Sequence, residues 1–210
     1  MSDSGVYVGI TGNIGVGKTR LTRVLCERLD WEAFYEPVVE NPYLEDFYAD
    51  MKRYSFHLQI FFLSERFRAM QQCLASGKSL LQDRTLYEDG EIFAPTLHEL
   101  GMLSKRDYEN YRALYETLLT TVPPPDRILH LSAPIDVLLN RIERRDRAYE
   151  RHVDASYLER LEGRYEAWVE QISKKVPVRR IDTSKLDLDG KDGQLTRLVE
   201  ELASWTRGKR

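Results

Sequence analysis

The feature that most constrains this chain is the run Gly12-Asn13-Ile14-Gly15-Val16-Gly17-Lys18-Thr19, which has the G-x-x-x-x-G-K-[ST] spacing of a phosphate-binding loop. Val6-Tyr7-Val8-Gly9-Ile10 before it is β-branched and aromatic and reads as a buried strand. After it, Leu21, Val24, Leu25 and Leu29 fall at helical spacing. Strand, glycine-rich turn and helix is the context in which backbone N–H groups turn inward around an anion, helped by the positive end of the helix dipole. In that setting Lys18 reaches the β- and γ-phosphates of a nucleoside triphosphate and the Thr19 hydroxyl holds Mg²⁺. The bland alternative is a glycine-rich turn with a solvated lysine.

At 210 residues the chain suits one α/β domain with a full core, so residues 1–210 read as a single domain. The net charge of −3 argues against a protein that coats nucleic acid, while leaving room for a local basic pocket. No apolar run approaches membrane-spanning length, and Met1-Ser2-Asp3-Ser4 has neither the charged region nor the apolar core of a secretory signal. A cytoplasmic protein with no membrane partner is expected. Cys26 and Cys73 sit on apolar helical stripes and read as small buried hydrophobes in a reducing compartment. His57, His98, His130 and His152 have no ligand spacing, and no zinc site is expected.

No internal repeat, low-complexity tract or composition break divides the chain. Residues 33–35 read as a second strand running into Glu36-Pro37-Val38, residues 42–49 as a short helix, and 52–75 as a long helix stopped by Ser76-Gly77. Three more strands are expected over 79–82, 127–131 and 178–181. Helices are expected over 88–99, 105–120, from Pro134 onward, over 157–172 and over 195–205. Strands alternating with helices predict an α/β fold, a central parallel sheet of about five strands flanked by helices. Ligands in such sheets sit at the carboxyl ends of the strands, so Gly12, Glu36 and Asp83-Arg84 should surround one cleft.

Phosphoryl transfer needs a cradle for the donor, a Mg²⁺ site, cations for the transferring group and something to orient the attacking oxygen. Asp83, at a strand end, is either a Walker-B-like carboxylate for Mg²⁺ or a surface ion pair with Arg84. Glu36 is either a base for an acceptor hydroxyl or an ordinary acid beside a proline turn. Gln59, Phe62 and Arg66 share one face of the long helix. An amide, a ring and a guanidinium on one stripe can read and stack a nucleobase, the glutamine pairing with N7 and the exocyclic amine of adenine. The alternative puts Phe62 in the core with the polar pair at its boundary. Arg141 and Arg145 also share a face, and such like charges repel by roughly a few tenths of a kcal/mol unless an anion joins them. A mobile lid over a γ-phosphate supplies that anion, whereas the plainer reading is cations at a helix C-terminus. No aromatic side chains interleave with these arginines, so a nucleic-acid patch is not indicated.

Together these segments resemble the deoxyribonucleoside kinase family, most closely its bacterial deoxyadenosine kinase-like members. The resemblance runs from Val6 to about Trp168. It rests on the loop, Glu36-Pro37-Val38, Glu40-Asn41-Pro42-Tyr43, Tyr48 with Ser55-Phe56 and Gln59, Asp83-Arg84-Thr85, Glu88-Asp89, Ile92-Phe93-Ala94, and the arginine-rich stretch with Glu150. It implies a P-loop kinase fold with an arginine-rich lid at about 144–152. The implied enzyme is a phosphotransferase with an alcohol acceptor, moving the γ-phosphoryl group of ATP, with Mg²⁺, to the 5′-hydroxyl of a deoxyribonucleoside in nucleotide salvage. By the same resemblance Glu36 takes the hydroxyl proton, Arg84 orients Glu36 and the 5′-oxygen, and Asp83 helps to hold Mg²⁺. Arg141, Arg145 and Arg147 match the lid arginines that clamp the donor phosphates in the loop.

Tyr48 and Glu150 match residues that bind the deoxyribose 3′-hydroxyl, Gln59 the base-reading glutamine, and Phe93 the ring that stacks on the base. Arg66 and Asp89 match a linked pair found in relatives accepting purines or deoxycytidine. A charged pair there crowds a thymine methyl and offers hydrogen bonds to the six-position of a purine. Phe62, counted with the substrate-binding residues, is a departure, since many mammalian relatives carry a small residue there. Deoxyadenosine is the expected substrate, with deoxyguanosine and deoxycytidine as alternatives. A homodimer is implied as well. The aromatic content of residues 88–115 either suits such an interface or belongs to the core. Two rival readings are a thymidylate-type nucleoside monophosphate kinase, whose acceptor phosphate Glu36 would repel, and a non-catalytic ATP-binding regulatory module.

Overall fold

Strand β1 (Tyr7–Gly12) is buried along its whole length. It pairs in parallel on both sides, with β3 (Leu80–Asp83) and with β4 (Arg127–Ser132). The computed structural model describes residues 5–35, 41–147, 150, 153–186 and 193–207. Among these the sheet has five parallel strands in the order β2-β3-β1-β4-β5, with β2 (Glu32–Phe34) and β5 (Val178–Asp182) at its edges. The α/β architecture expected from the alternating pattern is the one observed.

Alternation along β1 feeds two cores. Val6, Val8 and Ile10 pack with Leu21 and Leu25 of α1 (Lys18–Leu29), Leu138 of α7 (Ile135–Arg144), Leu161 of α8 (Ala155–Ile172) and Leu198 of α9 (Gln194–Arg207). Tyr7 belongs to the other layer, with Phe47 of α2 (Leu44–Ala49), Leu58 and Leu63 of α3 (Met51–Ser76), and Tyr111 and Tyr115 of α6 (Lys105–Leu119). Both tyrosines are fully buried, so the aromatic residues of 88–115 serve the core of the chain at these positions. Cys26 is buried as expected, and burial pushes its thiol up to about 11. Among the described residues no helix is long and apolar enough to cross a membrane.

Helix starts follow their capping residues. Asp50 accepts a hydrogen bond from the Arg53 amide, Ser104 from Asp107 and Asp154 from Tyr157. Helix α3 ends at Gly77, whose φ of 67° is the left-handed stop that glycine allows. One element departs from expectation. The helix read over 88–99 is a short α4 (Leu86–Glu88), a π-helical turn at Asp89–Phe93, and α5 (Ala94–Glu99). At Gly90 in that turn a Cβ would come within 2.4 Å of the Tyr115 ring, so only glycine fits. A π turn is one extra residue in a helical stretch, often at a functional site, and it rotates the faces that follow by roughly 100°.

His130 on β4 lies beneath the nucleotide loop. Its Nδ1 is 3.1 Å from Thr11 Oγ1, and its Nε2 is 3.8 Å from Glu166 of α8. Burial, with Arg180 and Lys18 nearby, lowers its pKa from 6.5 to about 4, against the opposing pull of Glu166. The unfolded chain therefore takes up a proton below pH 6.5 that the folded chain refuses until about pH 4. Stability falls as the pH drops through that window. Between pH 6.5 and 5 the loss from this residue is about 2 kcal/mol. Urea unfolding at a series of pH values should show it, and His130→Asn should lack that component of the slope.

Candidate active site

Gly12 leaves β1 at φ 140°, and a Cβ there would lie 2.3 Å from the Leu131 carbonyl oxygen of β4. A side chain is therefore excluded where the loop begins. Ile14 to Thr19 then line a cavity of about 1070 Å³. Lys18 opens α1, and its Nζ donates to the carbonyls of Gly12 (2.6 Å) and Asn13 (2.9 Å). Gly12 and Asn13 do not line the cavity themselves. Asn13 braces the loop from behind, where its Nδ2 donates to Leu158 O and Glu162 Oε2, both at 2.9 Å, and its Oδ1 accepts from Ile14. Burial raises the Glu162 carboxyl above its ordinary range.

Beside the loop, the Thr19 hydroxyl donates to Asp83 Oδ2 at 2.5 Å. Asp83 is the last residue of β3, and Arg84 after it has φ 69°, a left-handed conformation that costs a non-glycine residue roughly 1–2 kcal/mol. Its amide donates to Ile10 O at 3.0 Å, and its guanidinium stacks 4.3 Å from the centre of the Phe93 ring. Asp83 is thus paired with the loop threonine and, at 1% exposed, lies below the surface. Glu36 lies outside the described residues, as do Pro37, Val38 and Glu40. Tyr35, the last described residue before Glu36, lines the cavity.

Seven arginines share the cavity wall with the loop: Arg20 and Arg23 of α1, Arg84 after β3, and Arg141, Arg144, Arg145 and Arg147. Part of this charge is met by the chain itself. The Arg145 Nε pairs with Glu150 Oε2 at 2.5 Å and Arg147 reaches Glu150 Oε1 at 3.6 Å. Arg141 instead donates to Val16 O (3.1 Å), Thr183 Oγ1 (2.8 Å) and Thr183 O (2.9 Å), tying the loop to the end of β5. Burial and neighbouring Arg20 lower its guanidinium pKa. Residues 148, 149, 151 and 152 of the expected lid are outside the described residues.

A second group on the same wall is apolar and amide-bearing: Leu44, Phe47, Leu58, Gln59, Phe62 and Phe93, with Asp89 among them. Arg66 is not on the wall. It is fully buried, paired with Asp89, and its guanidinium lies 4.7 Å from the centre of the Phe62 ring. Phe62 therefore faces the cavity and Arg66 holds Asp89 from behind it. Gln59 is 3% exposed, and its Oε1 has no hydrogen-bond partner among the described residues. A buried amide carbonyl left so is costly unless a ligand supplies a donor. Tyr48 also lines the cavity, with Tyr157, Glu150, Arg84 and Arg145 as its charged or ionisable neighbours. Burial raises the Tyr48 phenol and pushes that of Tyr157 up to about 12.

Sequence reasoning missed Tyr157, Thr183, Arg20 and Arg23 as wall residues. For the last two a signal exists: α1 has no acid in its first turn and carries arginines where the helix dipole disfavours them, as an anion site would permit. Tyr157 and Thr183 reach the wall only through the tertiary fold. The Arg66–Asp89 pair gives a direct test. Asp89→Ala leaves a fully buried guanidinium without its carboxylate and should cost about 3–5 kcal/mol, while Arg66→Met with Asp89→Ala should recover most of it. Urea unfolding of the three variants measures the coupling, and additive losses would show that the two side chains act separately.

A five-stranded parallel sheet with a phosphate-binding loop and a basic wall defines a P-loop kinase fold. Comparison with known proteins narrows the class. A family model described as deoxynucleoside kinase matches residues 8–206. The chain is 39% identical over 199 residues to the deoxyadenosine/deoxycytidine kinase of Bacillus subtilis, covering 94% of this chain and 91% of the relative. It is 40% identical over 181 residues to the deoxyadenosine kinase of Dictyostelium discoideum, covering 86% and 74%. Among solved structures, deoxyadenosine kinase from M. mycoides with bound dATP superimposes with a TM-score of 0.83 at 29% identity, covering 94% of this chain and 99% of the other. The chain belongs to the deoxynucleoside kinase family, and it is a kinase of that kind.

Proposed function

We propose that this enzyme transfers the γ-phosphoryl group of ATP to the 5′-hydroxyl of deoxyadenosine, with deoxycytidine as a second substrate, in cytoplasmic nucleotide salvage. Base choice rests on the buried Gln59 Oε1, which has no partner among the described residues. That oxygen suits an exocyclic amine, which adenine and cytosine both offer and thymine lacks. Asp89 beside it adds a second acceptor on the same wall. The names of the Bacillus and Dictyostelium relatives point the same way. Deoxyguanosine presents a carbonyl at the corresponding place and is expected to be the weaker purine substrate.

The proposed chemistry gives each remaining group a role. Glu36 takes the proton of the 5′-hydroxyl, and Arg84, fixed by its stacking on Phe93, orients that oxygen. Lys18, Arg145 and Arg147 neutralise the transferring group, and Ile14 to Thr19 cradle the donor phosphates. Arg141 keeps the loop attached to Thr183. Tyr48 and Glu150 bind the 3′-hydroxyl, and Phe62 and Phe93 flank the base. A hydroxyl and a carboxylate oxygen 2.5 Å apart are a hard donor set that suits Mg²⁺, so Thr19 and Asp83 would hold it. Bound there, the ion supplies neutralisation of the donor phosphates. We take residues 1–210 as one catalytic domain with the lid at about 144–152. A homodimer is proposed through Leu114, 41% exposed on the outer face of α6.

ATP consumption with Mg²⁺ should be fastest with deoxyadenosine among the four deoxynucleosides, and slower with their ribose counterparts. Best activity on thymidine would overturn the role of Gln59 and Asp89, and faster turnover of dAMP or dTMP would overturn the acceptor. Glu36→Ala should lower kcat by about 10²–10⁴ while leaving ATP affinity nearly unchanged.

A further inference from the structure

Glu88 is fully buried, yet it is absent from the cavity wall. Its carboxylate accepts four hydrogen bonds from neutral donors on three separate parts of the chain. Oε1 accepts from the Gly12 amide (3.3 Å) and from the Tyr165 hydroxyl of α8 (2.8 Å). Oε2 accepts from the Thr85 amide (2.7 Å) and the Thr85 hydroxyl (3.3 Å). A capping box accounts for the Thr85 contacts alone, since a cap needs nothing from Gly12 or Tyr165. Burying a carboxylate is expensive, and this one is placed where it joins the first amide of the phosphate loop to the turn that carries Arg84.

We propose that Glu88 is a positioning residue for phosphoryl transfer, a clamp that fixes the phosphate loop relative to the Arg84 turn and anchors both to α8; the proposal rests on the kinase reading above. The geometry shows what needs fixing. Arg84 is in the left-handed region, held by its own amide on Ile10 and by the next residue's amide on Glu88. The Thr85 methyl sits 2.5 Å from where a Cβ on Gly9 would be, so the turn lies directly on β1. On the other side, Tyr165 is one helical face with Leu158 and Glu162, which bind Asn13 of the loop. The helix that follows the lid thus grips the loop twice, through Asn13 and through Glu88.

The isosteric Glu88→Gln tests this. An amide keeps one acceptor, which the short Thr85 bond should claim, and turns its NH₂ toward the Gly12 amide. The variant should bind Mg·AMP-PNP about tenfold more weakly, exchange the Gly12 amide about tenfold faster by NMR, and leave deoxyadenosine affinity within about twofold. Its kcat should fall by a similar factor at temperatures well below unfolding. Tyr165→Phe, which removes one donor only, should give about a threefold loss of nucleotide affinity and faster Gly12 exchange with the Thr85 amide unchanged. If either folded variant matches wild type in nucleotide affinity and Gly12 exchange, or loses nucleoside and nucleotide affinity equally, the clamp is overturned. Affinity and exchange are read without turnover, so a wild-type enzyme silent on deoxynucleosides would overturn the reaction assigned above and still leave the clamp decided by these two measurements.

Discussion

The parallel pairing of β1 between β3 and β4 is the constraint on which the site depends. Parallel neighbours place all their carboxyl ends on one edge, and their crossovers must carry helices over both faces. A central strand buried on both faces tolerates apolar and small residues only, which is why Tyr7–Gly12 contains no charge. From that edge emerge the loop after Gly12, the Asp83-Arg84 turn after β3, and Thr183 after β5. Hydrogen bonds then join the three outlets. Thr19 bonds to Asp83, and Thr183 donates from its hydroxyl to Val16 O at 2.9 Å. The loop is held at both shoulders by neighbours in the sheet and not by its own sequence alone.

Charge is arranged on the same principle. The chain as a whole is slightly acidic, yet seven arginines converge on one wall. Like charges at that density need anions close by. Glu150 supplies one for Arg145 and Arg147, and loop and strand-end oxygens occupy Arg141. The carboxylate that pairs with Arg145 and Arg147 is also one of the polar groups beside Tyr48. In the function proposed above, sugar and phosphate contacts would share one small electrostatic unit, and a change at Glu150 would act on both.

Much of this was legible in the sequence because its determinants are local. The loop announces itself through glycine spacing, the strands through short β-branched runs, and the long helix through its many large apolar side chains with Gly77 at its end. Asp83, Arg84 and Gln59 meet at one cavity, as their places in the chain suggested, together with Asp89 and Phe93, to which the family resemblance pointed. What escaped was set by tertiary contact. Helical spacing put Arg66 beside Gln59 and Phe62, but spacing cannot say which side chain screens another, and Phe62 stands between Arg66 and the cavity. Arg141 shares a face with Arg145, yet Thr183, distant in sequence, occupies it. Thr85-Leu86-Tyr87-Glu88 has the form of a capping box, and that local role hides the contacts to Gly12 and Tyr165.

The short stretch from Asp83 to Phe93 is where these threads meet. It holds three buried acids, each with its own partners: Asp83 on Thr19, Glu88 on Gly12, Thr85 and Tyr165, and Asp89 on Arg66. Each links this stretch to a different neighbour, namely α1 with its loop, α8 and α3. A regular helix starting at Leu86 would have to satisfy all of them with one fixed pitch. The π turn beginning at Asp89 relaxes that demand, letting Glu88 remain beneath the loop while Asp89 and Phe93 face the cavity. Gly90 makes the turn possible by letting Tyr115 approach its backbone, so the irregularity is packed into the core and not left to move. In the function proposed above, the phosphate loop, Arg84 and the base pocket would thereby be set at fixed separations, which is the condition for a donor phosphate and an acceptor hydroxyl to meet in line.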